Sequence, residues 1–120
     1  MNNENLKART KQFALRTIKM VEVLPHDATA NVLGRQLLRA GTSAGANYRA
    51  VCRSKSVADF ISQMGPAEEE ADESGYWMEL LVDSGKLKLA KASALLQAAS
   101  GLTAIAVSSI QTAKESQSGR

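Results

Sequence analysis

The sequence is poor in the residues that staple or punctuate a chain. Of 120 residues one is cysteine, one is histidine and two are proline, and the aromatic residues make up 4%. A lone Cys52 excludes an intrachain disulfide and a cysteine metal framework, and suits a small, half-buried apolar position in a reducing compartment. With only Pro25 and Pro66, and few runs of β-branched residues, there is little material for a sheet and its turns. The shortage of aromatics leaves the core to Ala, Leu, Val, Ile and Met, which suit helices packed close together. His26 alone excludes the paired Glu-x-x-His motifs of a di-iron bundle. Neither a Gly-rich phosphate loop, nor a nucleophile elbow, nor a Cys/His pair is present. No catalytic residue, metal ligand, cofactor or small-molecule substrate is expected, and the chain reads as non-enzymatic.

What is there is helical period. The length allows one core and one domain, residues 1–120. Helix one is expected over 5–23, with Phe13, Ile18 and Val21 apolar, and stops before Pro25 because the residue preceding proline resists the α region. Helix two, over 29–52, repeats Ala30, Leu33, Leu37, Ala40, Ala44 and Val51 on one face, while Gly41 and Gly45 weaken it locally and allow close approach. Helix three, over 57–84, opens with Ser56 and Asp59 in the pattern of a capping box. Its stripe is Val57, Phe60, Met64, Ala67, Ala71, Met78 and Val82, and Gly85 is its natural stop. Pro66 predicts a kink or short break within it. Helix four spans 88–114, with a frayed polar tail from Ser116. The expected fold is all-α, an up-and-down four-helix bundle that self-assembles.

The net charge of +3 hides a segregation. Residues 1–60 hold ten Lys/Arg against four Asp/Glu, residues 61–85 none against seven, and residues 86–120 five against one. At roughly 100° per residue, Arg35, Arg39, Arg49 and Arg53 fall within about 80° of arc opposite the apolar face of helix two. Two readings fit this stripe. Clustered arginines on one face attract the phosphates of RNA or DNA without regard to sequence. The plainer reading pairs them with the acidic stripe of helix three, Glu69, Asp72, Glu73, Glu79 and Asp83, between helices or between subunits.

A polar seam runs beside the apolar faces: Gln36, Ser43 and Asn47 on helix two, and Gln63, Glu70 and Ser74 on helix three. Half-buried polar groups need partners, since an unsatisfied one costs about 1–3 kcal/mol. Glu70 is expected to accept from this set, with Asn47 as leading donor, and the seam's role is to fix helix register. Helix four carries no charge from Ala92 to Ala113, and its apolar residues point several ways. Its second face needs cover, which a further copy of the chain supplies. Leu96, Leu102, Ile105 and Val107 are the expected oligomer contacts, with Trp77 as a core or interface anchor rather than a base-stacking platform. The same uncharged run tempts a membrane reading, but Ser93, Gln97, Ser100, Thr103, Ser108, Ser109 and Gln111 interrupt it, so no membrane span is expected. Residues 1–10, with Glu4, Lys7 and Arg9, make no signal peptide, and a cytoplasmic location is expected.

The stretch Leu37-Leu38-Arg39-Ala40-Gly41-Thr42-Ser43-Ala44-Gly45-Ala46-Asn47-Tyr48-Arg49, then Asp59-Phe60-Ile61, then Glu69-Glu70-Ala71-Asp72-Glu73-Ser74 with Tyr76-Trp77 and Leu80-Leu81, resembles the four-helix-bundle proteins named for reading frames in intervening sequences of bacterial 23S ribosomal RNA genes, an older label being ribosomal-protein-like. The resemblance spans nearly the whole chain. It implies an up-and-down bundle and a ring-like homopentamer with a basic surface, and carries no established enzymatic activity. Related bundles act as accessory factors that bind nucleic acid and a reverse transcriptase. Pro66 and Gly75 depart from the family pattern, which has an ordinary aliphatic residue and a larger residue there.

Overall fold

The structure is a computed structural model and describes residues 3–119. Four antiparallel helices, α1 (Asn3–Glu22), α2 (Ala28–Val51), α3 (Val57–Asp83) and α4 (Leu89–Ser118), form a rod of 54 × 21 × 21 Å. Helix α1 packs on α2, α2 on α3 and α3 on α4, while α1 and α4 touch much less. The α1–α2 and α3–α4 pairs are therefore opposite sides of the rod.

Local chemistry explains each boundary. Asp27 caps α2 by accepting from the Ala30 amide at 2.8 Å, and its other oxygen takes Lys86 Nζ at 3.1 Å, which ties the α1–α2 turn to the α3–α4 loop. Ser56 Oγ accepts from the Asp59 amide at 3.0 Å; the Asp59 carboxylate reaches back to the Lys55 amide, one residue before the cap, also at 3.0 Å. Helix α3 ends in a Schellman turn: Gly85 takes φ +81°, and the amides of Gly85 and Lys86 donate to the Val82 and Leu81 carbonyls.

Two expectations need correction. Helix α3 runs unbroken through Pro66. The proline and Ser62, whose carbonyl it deprives of a donor, are both exposed, so water can take the lost bond. Gly65 before it has no Cβ to clash with the proline ring. Helix α4 also continues to Ser118 instead of fraying at 114, since its polar last turn keeps its backbone hydrogen bonds in solvent.

The core holds Leu6, Phe13, Leu37, Tyr48, Met64, Met78, Leu81, Leu95 and Leu102 among many alanines. Helix α1 contributes Thr10 and Thr17 to it, whereas Ile18 and Val21 are only half-buried. Each threonine spends its hydroxyl on its own helix, Thr17 on the Phe13 carbonyl at 2.8 Å and Thr10 on that of Lys7 at 3.1 Å. What remains faces the glycines of α2. A Cβ on Gly41 would lie 2.6 Å from Thr17 Cγ2, and one on Gly45 would lie 3.3 Å from Thr10 Cβ, so these glycines set the α1–α2 spacing.

Candidate nucleic-acid and assembly surfaces

The arginine row of α2 divides into groups with different jobs. Arg39 leans toward α3: its Nη1 lies 2.8 Å from Glu70 Oε2 and its Nη2 lies 2.8 Å from Glu73 Oε1. Its Nε donates to Gln36 Oε1 at 3.2 Å. Hydrogen bonding to Glu70, and beyond it to Glu73, raises the guanidinium's pKa further. The positive charge of Arg39 is thus largely answered within the chain. Arg35, Arg49 and Arg53 are exposed and make no ion pair among the described residues. Arg53 lies past the end of α2, in the turn that leads to α3, so of the four expected arginines only Arg35, Arg39 and Arg49 stand on the helix. Arg49 turns toward α1, where it lines a groove with Lys7 and Lys11.

Those two lysines lie outside the arginine row that the sequence pattern points to. They lie four apart on the edge of α1 that meets α2, and the signal that finds them is helical period applied to charge instead of to apolar residues.

The polar seam is differently wired from its sequence reading. Glu70 accepts from Arg39, not Asn47, because the arginine reaches across from α2 with a fork that can bridge both Glu70 and Glu73. Among the described residues no hydrogen bond joins Asn47 to Glu70; Asn47 and Ser43 are half-buried. Gln63 Nε2 donates to Asp59 Oδ1 at 2.8 Å, along its own helix. That bond, with the Lys55 amide, holds the Asp59 carboxyl below its ordinary range. Ser74 is fully buried and donates to the Glu70 carbonyl at 2.8 Å. Only Gln36 and Glu70 therefore meet in one network, with Arg39 between them. Elsewhere, burial pushes the Tyr48 phenol up to about 12.

On α4 the expected contacts also separate. Leu102 is 6% exposed and belongs to the chain's own core beside Leu95 and Ala99, so it offers nothing to a neighbour. Leu96, Ile105 and Trp77 are half-buried, and Val107 is 49% exposed. The outer face is made of Ser93, Ala94, Gln97, Ser100, Ala104, Val107 and Ser108, all exposed and none charged. By length and composition α4 is apolar enough to cross a membrane, with a mean hydropathy of 1.4 over its most apolar window. Trp77 stands edge to face with the exposed Tyr76, ring centres 5.1 Å apart, and its buried indole N–H has no acceptor among the described residues. No group of three His, Cys, Asp or Glu side chains converges as a metal ion requires, among the described residues.

The family model described as 23S rRNA-intervening sequence protein matches residues 3–108. The crystal structure of a protein of unknown function from the S23 ribosomal protein family of Bacteroides thetaiotaomicron has the same fold, with a TM-score of 0.84. It is 30% identical, and the match covers 92% of this chain and 99% of that one. No curated protein matches the chain.

Proposed function

The chain belongs to the 23S rRNA-intervening sequence protein family, and on that premise we propose that it is a non-enzymatic cytoplasmic scaffold that assembles with copies of itself and holds RNA or DNA by its phosphates. The observation that carries this reading is the outer face of α4, exposed along the bundle and uncharged from Ala92 to Ala113. A soluble bundle helix normally presents charge on its solvent side, so a face without any is a face to be covered. The family resemblance implies five copies. The phosphate contact falls to Arg35 and Arg53, with Arg49 on the flank of the row, since Arg39 is taken by Glu70 and Glu73.

Retention of a generic structured RNA at a series of salt concentrations tests the second half of the reading. Each phosphate contact contributes about 0.9 to the slope of log affinity against log salt on duplex DNA, and roughly 0.7 on single strands. Replacing Arg35 and Arg53 by Glu should weaken retention and flatten that slope by at least one unit; an unchanged slope would refute the assignment.

A second reading has its own support. The Arg39 bridge to Glu70 and Glu73 supports it: one arginine of the basic stripe is already answered by carboxylates of α3. A chain that uses all its charge in this way is a protein-interaction module with no nucleic-acid partner, and the wild type would then leave RNA unretained even at low salt.

A further inference from the structure

We propose that copies of the chain join head to tail, the cationic α1–α2 groove of one seated against the acidic α3–α4 groove of the next. This rests on the self-assembly reading above and specifies its contact.

The two grooves are alike in size and opposite in charge. The α1–α2 groove, of about 390 Å³, carries Lys7, Lys11 and Arg49 over a floor that includes Ala14, Gly45 and Ala46. Its one carboxylate, Glu4, stands 3.7 Å from Lys7 with both side chains in solvent, a pairing worth little. The α3–α4 groove, of about 360 Å³, carries Asp72 and Glu79 over Gly75, Ala99, Ser100 and Ala104, with no cation in its lining. Gly75, which departs from the family pattern, is what keeps this floor low: a Cβ there would extend toward Ala99 Cβ, 4.0 Å away. Small residues on both floors let helix backbones approach closely.

Charge decides which groove meets which. A two-fold dimer through either groove would set Lys7 and Lys11 against their own copies, or Asp72 and Glu79 against theirs, and like charges face to face are disfavoured. Only the heterologous pairing is complementary, and because the grooves lie on opposite sides of the rod the contact repeats from copy to copy. The outer face of α4 borders the acidic groove through Ser100 and Ala104, so the same contact covers it.

The helix lengths set the size of the contact. Counted at about 1.5 Å per residue from the end that holds Asn3 and Val57, the α1–α2 groove is centred near residue 9, roughly 9 Å along, and the α3–α4 groove near residue 74, roughly 26 Å along. Neighbouring rods are then staggered by about 17 Å. The 24-residue α2 limits the α1–α2 face to about 36 Å, so at this stagger roughly 22 Å of the two 21 Å-wide faces overlap, about 460 Å² per partner, a small interface whose strength depends on its charges.

The test is the molar mass of the full chain in solution, by light scattering at low salt, for four proteins: wild type, Lys7→Glu/Lys11→Glu, Asp72→Lys/Glu79→Lys, and the chain carrying all four changes. These side chains are exposed or half-buried, and circular dichroism checks that each variant keeps its helices. The wild type should be an oligomer. Each double variant should dissociate, its apparent dissociation constant raised at least roughly a hundredfold by the facing like charges. The fourfold variant, with the charges exchanged, should assemble again. Double variants that stay assembled, or a fourfold variant that remains dissociated, would overturn the head-to-tail contact while leaving self-assembly standing. A monomeric wild type would overturn both, and a wild type that binds lipid vesicles instead of itself would give the α4 face to a membrane.

Discussion

Gly41 is where the α1–α2 packing is most exposed to a single methyl group. In Gly41→Ala the new Cβ would meet Thr17 Cγ2 and Oγ1 at 2.6 Å and Thr17 Cβ at 2.9 Å. Carbon atoms pack at about 3.5–4.0 Å. Rotating Thr17 about χ1 cannot move its Cβ, so the helices must part locally by at least roughly 0.6 Å, and a gap of that size forfeits about a quarter of each contact beside it. Overpacking of this kind costs about 1–3 kcal/mol, against roughly 1 kcal/mol gained by replacing glycine within a helix. Contacts under 3.0 Å, one of them to the fixed Thr17 Cβ, put the cost in the upper half of that range, so a net loss of about 1–2 kcal/mol follows, and with it a fall in Tm of roughly 3–8 °C for a chain of this length. Gly75→Ala is the matched control. Its Cβ meets only Ala99 Cβ, at an ordinary 4.0 Å, so the same chemical change should stabilise the single chain by about 0.5–1 kcal/mol. Thermal unfolding should be followed by circular dichroism at one protein concentration, and at high salt, so that assembly does not enter the comparison. Gly41→Ala as stable as the wild type, or Gly75→Ala less stable, would refute the packing argument. Adding Thr17→Ala to Gly41→Ala removes Cγ2 and Oγ1 and should recover part of the loss, a coupling that a double-mutant cycle measures.

Asp27→Asn keeps an acceptor for the Ala30 amide and loses the charge that faces Lys86. The Ala30 hydrogen bond first, and Lys86 second, hold the native Asp27 carboxyl below its ordinary value of 3.8. A depressed native pKa favours the folded state above the unfolded pKa. The wild type's advantage in Tm over Asp27→Asn should therefore be full at neutral pH and vanish as the pH falls below 3.8 through the native pKa. An advantage that persists or grows in acid contradicts this. Arg39→Met should lower stability in denaturant titrations by about 1 kcal/mol, less in high salt, because Arg39 and its two carboxylate partners are all partly exposed. It should leave RNA retention nearly intact, whereas Arg35→Glu/Arg53→Glu should lower retention and leave the denaturation midpoint unchanged. Trp77→Phe removes a buried N–H that has no acceptor among the described residues, a relief of about 1–3 kcal/mol, and gives up part of a half-buried ring worth a similar amount. Its midpoint should move by no more than about 1 kcal/mol; a loss of 3 kcal/mol or more would mean that the N–H is bonded in solution.

The helices could be read from the sequence because period, caps and glycine stops agree along most of it: Ser56 with Asp59, Gly85 after Asp83, Pro25 after Leu24. The exceptions share a physical cause, which is that a side chain can satisfy itself locally. Thr10 and Thr17 look polar in a pattern and are core residues in space, because their hydroxyls bond the preceding turn of their own helix. Pro66 looks like a break and is not one, because the freed carbonyl lies on the solvent side. The surface sites were harder to read. Projection gathers Arg35, Arg39, Arg49 and Arg53 onto one arc, but α2 ends at Val51 before Arg53 is reached, and the few tens of degrees between the others decide that Arg39 turns to Glu70 while Arg49 turns to α1. Leu102 shows the same limit on α4: where apolar residues lie all round a helix, period alone cannot tell which of them faces the core. The pairing of one groove with another becomes visible only once the bundle order puts α1–α2 and α3–α4 on opposite sides.

The account stands most directly on the mass of the wild-type chain in solution, measured by light scattering at low and high salt, with and without a generic structured RNA. It predicts a discrete oligomer, 64 kDa for five copies of 12.8 kDa, which loosens as salt screens the groove charges and gains the mass of RNA at low salt alone. A particle of 12.8 kDa under every condition would contradict it.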